Sequence, residues 1–197
     1  MRRNFTDIVL LIVLLAGLVT GNAGTASADG DWTGHVSLMI GQAYLDDGKW
    51  GTLDRQEAYG LEIDFRNRHW PVNIAIDVVG SSKEEDSLVP GTGRVIRQSA
   101  DISEIDLGVR KIWDEGPFFH PFVGGGIALA TAERQSLGIE YDGDGVGLWL
   151  DTGINLAVTT HFNVGVELRY SWAEVDLGPE RINTGRVTAG ALLGFRW

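Results

Sequence analysis

The chain has 197 residues with 27 acidic and 16 basic side chains, which give a formal net charge of −11. This acidic balance argues against a nucleic-acid partner, because binding to the phosphate backbone depends on Lys and Arg. The sequence contains no cysteine, so disulfide bonds do not contribute to its stability.

The N-terminus has the order of a secretory signal peptide. Two arginines precede an apolar block from Ile8 to Val19, and Ala26 and Ala28 supply the small residues that signal peptidase accepts. An uncleaved anchor is the alternative, but about a dozen apolar residues are short for a helix that needs roughly 20 to span a bilayer. We expect residues 1–28 to be a cleaved signal peptide and residues 29–197 to form one domain.

The remaining sequence contains eight runs in which apolar and polar residues alternate. Alternation with period two is typical of β-strands that have one apolar face. The runs are Asp31 to Leu45, Glu57 to Arg68, Val72 to Val78, a fourth that ends near Trp113, Phe119 to Thr131, Leu148 to Val158, Phe162 to Trp172, and Gly185 to Trp197. The last run ends on an aromatic residue without a polar tail, so we expect the final strand to pair with the first in a closed barrel.

The connections between the runs alternate in length. Four connections are long: Asp46 to Gln56, Ser81 to Gln98, Ala132 to Gly145, and Glu174 to Thr184. The three connections that alternate with them are only a few residues long. Short turns on one rim and long loops on the other are typical of outer-membrane barrels. The sequence therefore predicts an all-β protein, an eight-stranded antiparallel up-and-down transmembrane β-barrel with four extracellular loops.

Aromatic residues fall at two levels of these predicted strands. With the chain ends at the periplasmic rim, the girdle at that rim comprises Trp32, Trp70, Trp113 and Phe162, and the other comprises Tyr44, Tyr59, Tyr170 and Trp172. The two levels are about 10 to 12 residues apart, as expected for rings at the two headgroup regions of a membrane. The alternative is a soluble lipocalin-like barrel with aromatics inside, which would turn the charged face outward and would not explain the two levels.

Three stretches carry a resemblance to a known family: Pro121-Phe122-Val123-Gly124-Gly125-Gly126-Ile127, Glu167-Leu168-Arg169-Tyr170-Ser171, and Gly194-Phe195-Arg196-Trp197. The chain resembles the small eight-stranded outer-membrane barrels, the group with the OmpA transmembrane domain, OmpX and the wider porin-like outer-membrane β-barrel proteins. The resemblance implies that the protein is located in the outer membrane of a Gram-negative bacterium, where it contacts the membrane lipids and lipopolysaccharide. It also implies that Phe195 and Trp197 serve as the signal read by the barrel assembly machinery, although the family more often ends in Phe.

The polar face of the strands carries many acids at mid-barrel height. They are Glu62, Asp64, Asp77, Asp106, Asp151 and Glu167, with Arg169 as the base at that level and Arg66 and Arg110 nearer the periplasmic end. Ionised groups without partners are costly in a narrow, partly dry lumen. We therefore expect a lumen charge network of these acids with Arg169 and Arg110, in which Arg169 bridges several carboxylates. A solvated interior with weak ion pairs is the alternative.

No residue pattern indicates a catalytic, cofactor or metal site. In the lipid A deacylases a His-x-Ser-Asn sequence supplies base and nucleophile, whereas the comparable stretch here is Tyr170-Ser171-Trp172-Ala173, so we expect Ser171 to be a lumen hydroxyl. Asp142-Gly143-Asp144-Gly145 resembles part of a calcium loop but lacks the later ligands, and we expect a solvated turn. Lys83-Glu84-Glu85-Asp86 is expected to be a charged loop tip.

Three functions of different classes are compatible with these patterns. The first is a monomeric, non-enzymatic outer-membrane barrel with a structural or surface-interaction role. The second is a narrow pore or a conduit for small hydrophobic ligands, as in OmpW-type barrels, although eight strands leave an interior that side chains just fill. The third is a lipid A-modifying enzyme, for which the base is missing.

Overall fold

A computed structural model describes residues 31–45, 48–88, 95–113, 116–136, 139–177 and 180–197. They form the strands β1 (Trp32–Leu45), β2 (Arg55–Asn67), β3 (Asn73–Leu88), β4 (Val95–Ile112), β5 (Phe119–Ser136), β6 (Ile139–Ala157), β7 (Phe162–Leu177), β8 (Glu180–Asn183) and β9 (Arg186–Arg196). A 3-10 helix, Gly48–Leu53, lies between β1 and β2. The predicted signal peptide and its cleavage site before Asp29 lie outside the described residues.

The strands close into a barrel. Neighbouring strands pair antiparallel, and β1 pairs both with β2 and with β9. The eighth barrel strand consists of β8 and β9, which pair with β7 in one register and are separated by Thr184 and Gly185. Thr184 still donates its N–H to the carbonyl of Ala173 at 2.9 Å, so the strand is nearly continuous. The predicted eight-stranded antiparallel up-and-down barrel is confirmed.

Three of the four predicted long loops are mostly strand. β3 continues to Leu88, β5 continues to Ser136, β6 starts at Ile139, β7 continues to Leu177 and β8 spans Glu180–Asn183. The predictions of a loop tip at residues 83–86 and of a turn at residues 142–145 were wrong, because these residues lie in β3 and β6. Strands that rise above a membrane meet water on the outside, so their backbone pairing continues where the apolar alternation has ended.

The outer face of the barrel carries an apolar band. Its exposed side chains include Leu38, Ile40, Ile76, Ile105, Leu107, Val109, Val123, Ile127, Leu129, Leu148, Leu150, Leu156, Val164, Val166, Leu168 and Leu193. On β7 this band runs from Phe162 to Trp172, and about 10 residues of a tilted strand are the length that crosses a bilayer. No helix among the described residues is both long and apolar enough to span a membrane.

The interior of the barrel is filled by side chains. Trp50 and Leu53 from the 3-10 helix pack with buried residues of β1, β4, β5 and β7 at the end of the barrel opposite Trp32 and Arg196, which is the predicted extracellular end. A second apolar cluster lines the lumen and consists of Met39, Val79, Ile112, Phe122 and Leu192. Buried charged side chains occupy much of the remaining lumen, and this charged part of the lumen is the candidate site.

Candidate functional site: the charged lumen

Strand pairing places three acids side by side on the lumen wall. Glu62 of β2 lies opposite Asp77 of β3, and Asp77 lies opposite Asp106 of β4. All three side chains are buried, with exposed fractions of 3% or less. Like charges directly opposite one another in a sheet are destabilising, so this row of carboxylates requires cations from elsewhere in the barrel.

Arg169 of β7 supplies the first cation. Its Nη1 donates to Asp106 Oδ2 at 2.5 Å, and its Nη2 donates to Asp77 Oδ2 at 2.6 Å and to Glu62 Oε1 at 3.3 Å. Its Nε donates to Glu167 Oε1 at 2.8 Å, on the same strand. The Arg169 side chain has no solvent exposure. Because its partners Asp106, Asp77 and Glu62 lie on β4, β3 and β2, the side chain crosses the lumen and joins β7 to three strands of the opposite wall.

Arg110 of β4 supplies the second cation, and it lies among the same acids. Its Nη2 donates to Asp77 Oδ2 at 2.8 Å, its Nε donates to Asp151 Oδ2 at 3.1 Å, and Nη2 also contacts Asp151. Its Nη1 lies 3.6 Å from Glu62 and 3.5 Å from Asp64. The expectation that Arg169 is the base at the level of the acids, with Arg110 nearer the periplasm, was wrong. The long side chain of Arg110 carries its charge away from the height of its own Cα atom.

Trp149 and Gly124 shape the space around the two guanidinium groups. The Trp149 ring centre lies 5.0 Å from Arg169 Cζ and 5.8 Å from Arg110 Cζ, within the range of cation–π attraction. Gly124 lies opposite Asp151 in the pairing of β5 with β6. A Cβ atom at Gly124 would come within 2.5 Å of Asp151 Oδ1, so only glycine leaves room for this carboxylate.

A second charged cluster lies in the lumen and was missed by the sequence analysis. Arg186 Nη2 lies 3.1 Å from Glu104 Oε2, and Ser171 Oγ donates to the same carboxylate at 2.7 Å. Arg186 Nη1 also donates to Ser81 Oγ at 3.5 Å. All of these side chains are buried, and Ser171 is a lumen hydroxyl. The alternation in β4 and β9 put Glu104 and Arg186 on inward faces, but it did not give their relative heights.

Acids outnumber guanidinium groups among the described lumen residues, and several carboxylate oxygens are buried without a hydrogen-bond partner there. These atoms are Asp77 Oδ1, Asp106 Oδ1, Asp151 Oδ1 and Glu167 Oε2. The described residues contain no group of three or more His, Asp or Glu side chains that could hold a metal ion. The contacts of Arg169 and Arg110 with these carboxylates join strands on different sides of the lumen.

The histidines lie toward the periplasmic end of the barrel. His35 Nδ1 lies 2.9 Å from Asp64 Oδ1, and Arg196 Nη1 lies 3.3 Å from Nε2 of the buried His120. His161 lies on a periplasmic turn beside a cavity of about 250 Å³. Ser171 lies in the other half of the lumen, so the geometry does not pair this hydroxyl with a histidine base.

The residues predicted to form the aromatic girdles lie on the outer surface at the two ends of the apolar band. Those at the periplasmic end are Trp32, Trp70, Trp113 and Phe162, and those at the extracellular end are Tyr44, Tyr59, Tyr170 and Trp172. Trp32 and Trp70 pack edge to face with ring centres 5.3 Å apart. Tyr59 is half-buried because its ring covers Gly80, where a Cβ atom would lie 2.4 Å from the ring.

The two residues predicted as the assembly signal lie at the end of the last strand: Phe195 is on the outer face of β9, and Trp197 directly follows this strand. Phe195 packs edge to face with Phe162 at 5.5 Å. Trp197 lies against Gly34, where an added Cβ atom would be 2.5 Å from the indole ring, and the backbone N–H of Trp197 donates to the Gly34 carbonyl at 3.1 Å. The last residue is therefore part of the sheet that closes the barrel.

The sequence matches the family model described as outer membrane protein beta-barrel domain over residues 11–195. The chain belongs to this family. The predicted family and its transmembrane barrel are thus confirmed, and membership implies a location in the outer membrane. No curated protein matches the chain in sequence.

Solved structures of small outer-membrane barrels share the fold. Neisserial surface protein A matches with 15% identity and a TM-score of 0.55 over 85% of this chain and 96% of that one. Ail of Yersinia pestis, in complex with the heparin analogue sucrose octasulfate, matches with 11% identity and a TM-score of 0.54 over 84% of this chain and 97% of that one. OprG of Pseudomonas aeruginosa matches with 14% identity and a TM-score of 0.54 over 85% of this chain and 96% of that one. At these identities the similarity is one of fold.

Proposed function

We propose that the protein is a non-enzymatic, monomeric outer-membrane barrel of a Gram-negative bacterium, with a structural or surface-interaction role exerted through its extracellular connections. The observation that carries this proposal is the filled lumen. Arg169 spans the barrel between buried carboxylates, and Trp50, only 1% exposed, covers them at the extracellular end. A lumen filled in this way favours a function of the outer surface and the extracellular connections over the passage of solutes through the barrel.

A liposome-swelling assay with small sugars tests this proposal. Liposomes that contain the folded protein should swell no faster than liposomes without it, because the lumen cross-section is occupied by side chains. The narrow pore or small hydrophobic-ligand conduit is the alternative, and solute-dependent swelling would favour it over the proposal. A heat-modifiable shift on an unboiled gel provides the control that the barrel is folded.

A lipid A-modifying activity has less support. The Ser171 hydroxyl donates a hydrogen bond to the Glu104 carboxylate inside the lumen, so its oxygen is neither paired with an imidazole nor open to the lipid-facing surface. Mass spectra of lipid A from cells with and without the protein should therefore be identical. A mass change that depends on Ser171 would contradict the non-enzymatic assignment.

Export and assembly complete the proposal. The chain would be cleaved after Ala28, would be inserted by the barrel assembly machinery, and would contact outer-membrane lipids and lipopolysaccharide. N-terminal sequencing of the exported protein should begin at Asp29, and a mature species that retains the apolar block would refute cleavage.

A further inference from the structure

A groove of about 600 Å³ lies on the barrel near the extracellular ends of β1 to β4. The side chains that define it are Gln42, Arg55, Glu57, Lys83, Glu84 and Asp101. Tyr44, a residue of the extracellular girdle, lies beside Gln42 and Arg55. The groove therefore adjoins the apolar band at the height where the headgroups of the outer leaflet meet the protein.

Arg55 is held in one orientation at this groove. Its Nε and Nη2 donate to Gln42 Oε1 at 3.0 Å and 2.6 Å, and the same oxygen accepts from the Tyr44 hydroxyl at 3.1 Å. The guanidinium carbon also lies 5.5 Å from the centre of the Tyr44 ring. A guanidinium has five N–H donors, so these contacts fix Arg55 and leave it donors for an anion.

Carboxylates form the other side of the groove. Glu57 and Asp101 both lie opposite Ser82, on the strands that flank β3, and Glu84 follows on β3 itself. Among the residues that the structure describes, Glu57, Glu84 and Asp101 form no ion pair, whereas Arg97 and Asp86 nearby do. Lys83, the other cation at the groove, donates to the Thr52 carbonyl and lies 4.0 Å from Glu85. The groove thus combines a fixed guanidinium with carboxylates that form no ion pair.

We propose that this groove binds the headgroup of a membrane lipid that carries both a phosphate and a primary ammonium. Arg55 donates to the phosphate, the Glu57 and Asp101 carboxylates accept from the ammonium, and the acyl chains run along the apolar band below Tyr44. The mixed charge of the groove fits such a zwitterion better than a purely anionic headgroup, which the carboxylates would repel. The proposal rests on the outer-membrane location given above.

Native mass spectrometry of the folded, exported protein tests the proposal with three lipids of identical acyl chains. Phosphatidylethanolamine should be retained roughly fivefold more than phosphatidylglycerol, which lacks the ammonium, and more than phosphatidylcholine, whose ammonium has no N–H; fivefold corresponds to about 1 kcal/mol. Equal retention of the three lipids by the unaltered protein would overturn the proposal.

Substitutions in the groove test which residues bind the phosphate and which bind the ammonium of the headgroup. Arg55→Gln should lower phosphatidylethanolamine retention about fivefold, whereas Asp101→Asn combined with Glu57→Gln should abolish the preference over phosphatidylcholine. Arg97→Gln is the matched control, because Arg97 is an exposed arginine outside the groove that pairs with Asp86 at 3.3 Å. An equal loss in Arg97→Gln and Arg55→Gln would contradict the assignment.

Soluble phosphoethanolamine distinguishes a lipid site from a site for a free headgroup. It should fail to displace the lipid, because the acyl chains supply much of the contact, and displacement at equimolar concentration would refute the lipid assignment. Liposome swelling and the unboiled-gel shift should be unaffected by the groove substitutions. A failure of this inference is therefore distinguishable from a failure of the proposed function.

Discussion

Asp151 lies directly opposite Arg169 in the pairing of β6 with β7, yet Arg110 from β4 makes the closer contacts with its carboxylate. Arg169 Nη2 is 3.5 Å from Asp151 Oδ2, whereas Arg110 Nε is 3.1 Å from the same oxygen. Asp77 Oδ2 is likewise shared by both guanidinium groups. Removal of either arginine therefore leaves the other among an excess of carboxylates.

Arg169→Ala should lower the free energy of unfolding by about 3 to 5 kcal/mol at neutral pH, because it leaves buried carboxylates without their cation. The deficit should shrink on acidification, since protonation of these carboxylates removes their mutual repulsion. Urea titrations of the barrel in lipid vesicles, followed by tryptophan fluorescence, measure both effects. Arg97→Ala, which removes an exposed pair, should cost less than about 1 kcal/mol. Equal costs for the two variants would refute the lumen network.

Gly124→Ala should destabilise the barrel by about 1 to 3 kcal/mol, the usual cost of forcing extra atoms into a packed interior. Its Cβ atom would lie 2.5 Å from Asp151 Oδ1 and 3.2 Å from the Trp149 ring. Gly60→Ala is the matched control, because the atoms nearest to its Cβ are 3.3 Å away. Urea midpoints of the two variants decide the matter, and a Gly124→Ala barrel as stable as Gly60→Ala would contradict this account of the packing.

Trp197→Asp should sharply reduce the amount of folded protein in the outer membrane while export continues. The indole lies at the periplasmic interface against Gly34, where an aromatic ring is favoured and a charge is poorly accommodated. Trp70→Asp replaces a tryptophan on a turn at the same rim and should have a smaller effect. The heat-modifiable gel band of isolated membranes measures assembly, and undiminished folded protein in Trp197→Asp would rule out a role in assembly.

Asp101→Asn should stabilise the protein at neutral pH and have little effect in acid. Asp101 lies outside the extracellular girdle, where partial burial raises the pKa of its carboxyl and the nearby Glu133 and Glu84 raise it further. A carboxyl whose pKa is raised by folding destabilises the folded state as the pH rises from its unfolded pKa through its folded pKa. Asp31→Asn, at the opposite rim, is the control. Asp101→Asn would disprove this reading if its stability followed that of the unaltered protein at every pH.

The alternation of side chains was sufficient to predict the fold and the inward face of each strand. Glu62, Asp77 and Asp106 could be assigned to the lumen because each lies between two apolar residues of the outward face. Contacts across the lumen could not be predicted from the alternation of side chains, because they depend on the tilt and stagger of strands that are not neighbours. Arg110 with Asp151 and Arg186 with Glu104 are such contacts.

The extracellular end of the lumen was less predictable for a different reason. Trp50 lies in a connection whose other residues are mainly polar, and it was not recognised as a buried residue. Its ring is buried by Leu53 and by residues of β4, β5 and β7, and Nε1 donates to the Asn183 carbonyl at 3.3 Å. Periodicity does not extend into a short 3-10 helix, so only the folded barrel brings this residue into contact with its partners.

Single-channel recording in planar lipid bilayers tests the closed lumen most directly. The unaltered protein, inserted in its folded form, should show no ion-conducting steps, because Arg169 and Arg110 bridge the carboxylates across the barrel and Trp50 packs above them. Trp50→Ala should also be silent, since the charged layer below it is unchanged. Reproducible conductance steps from the unaltered protein would contradict the account.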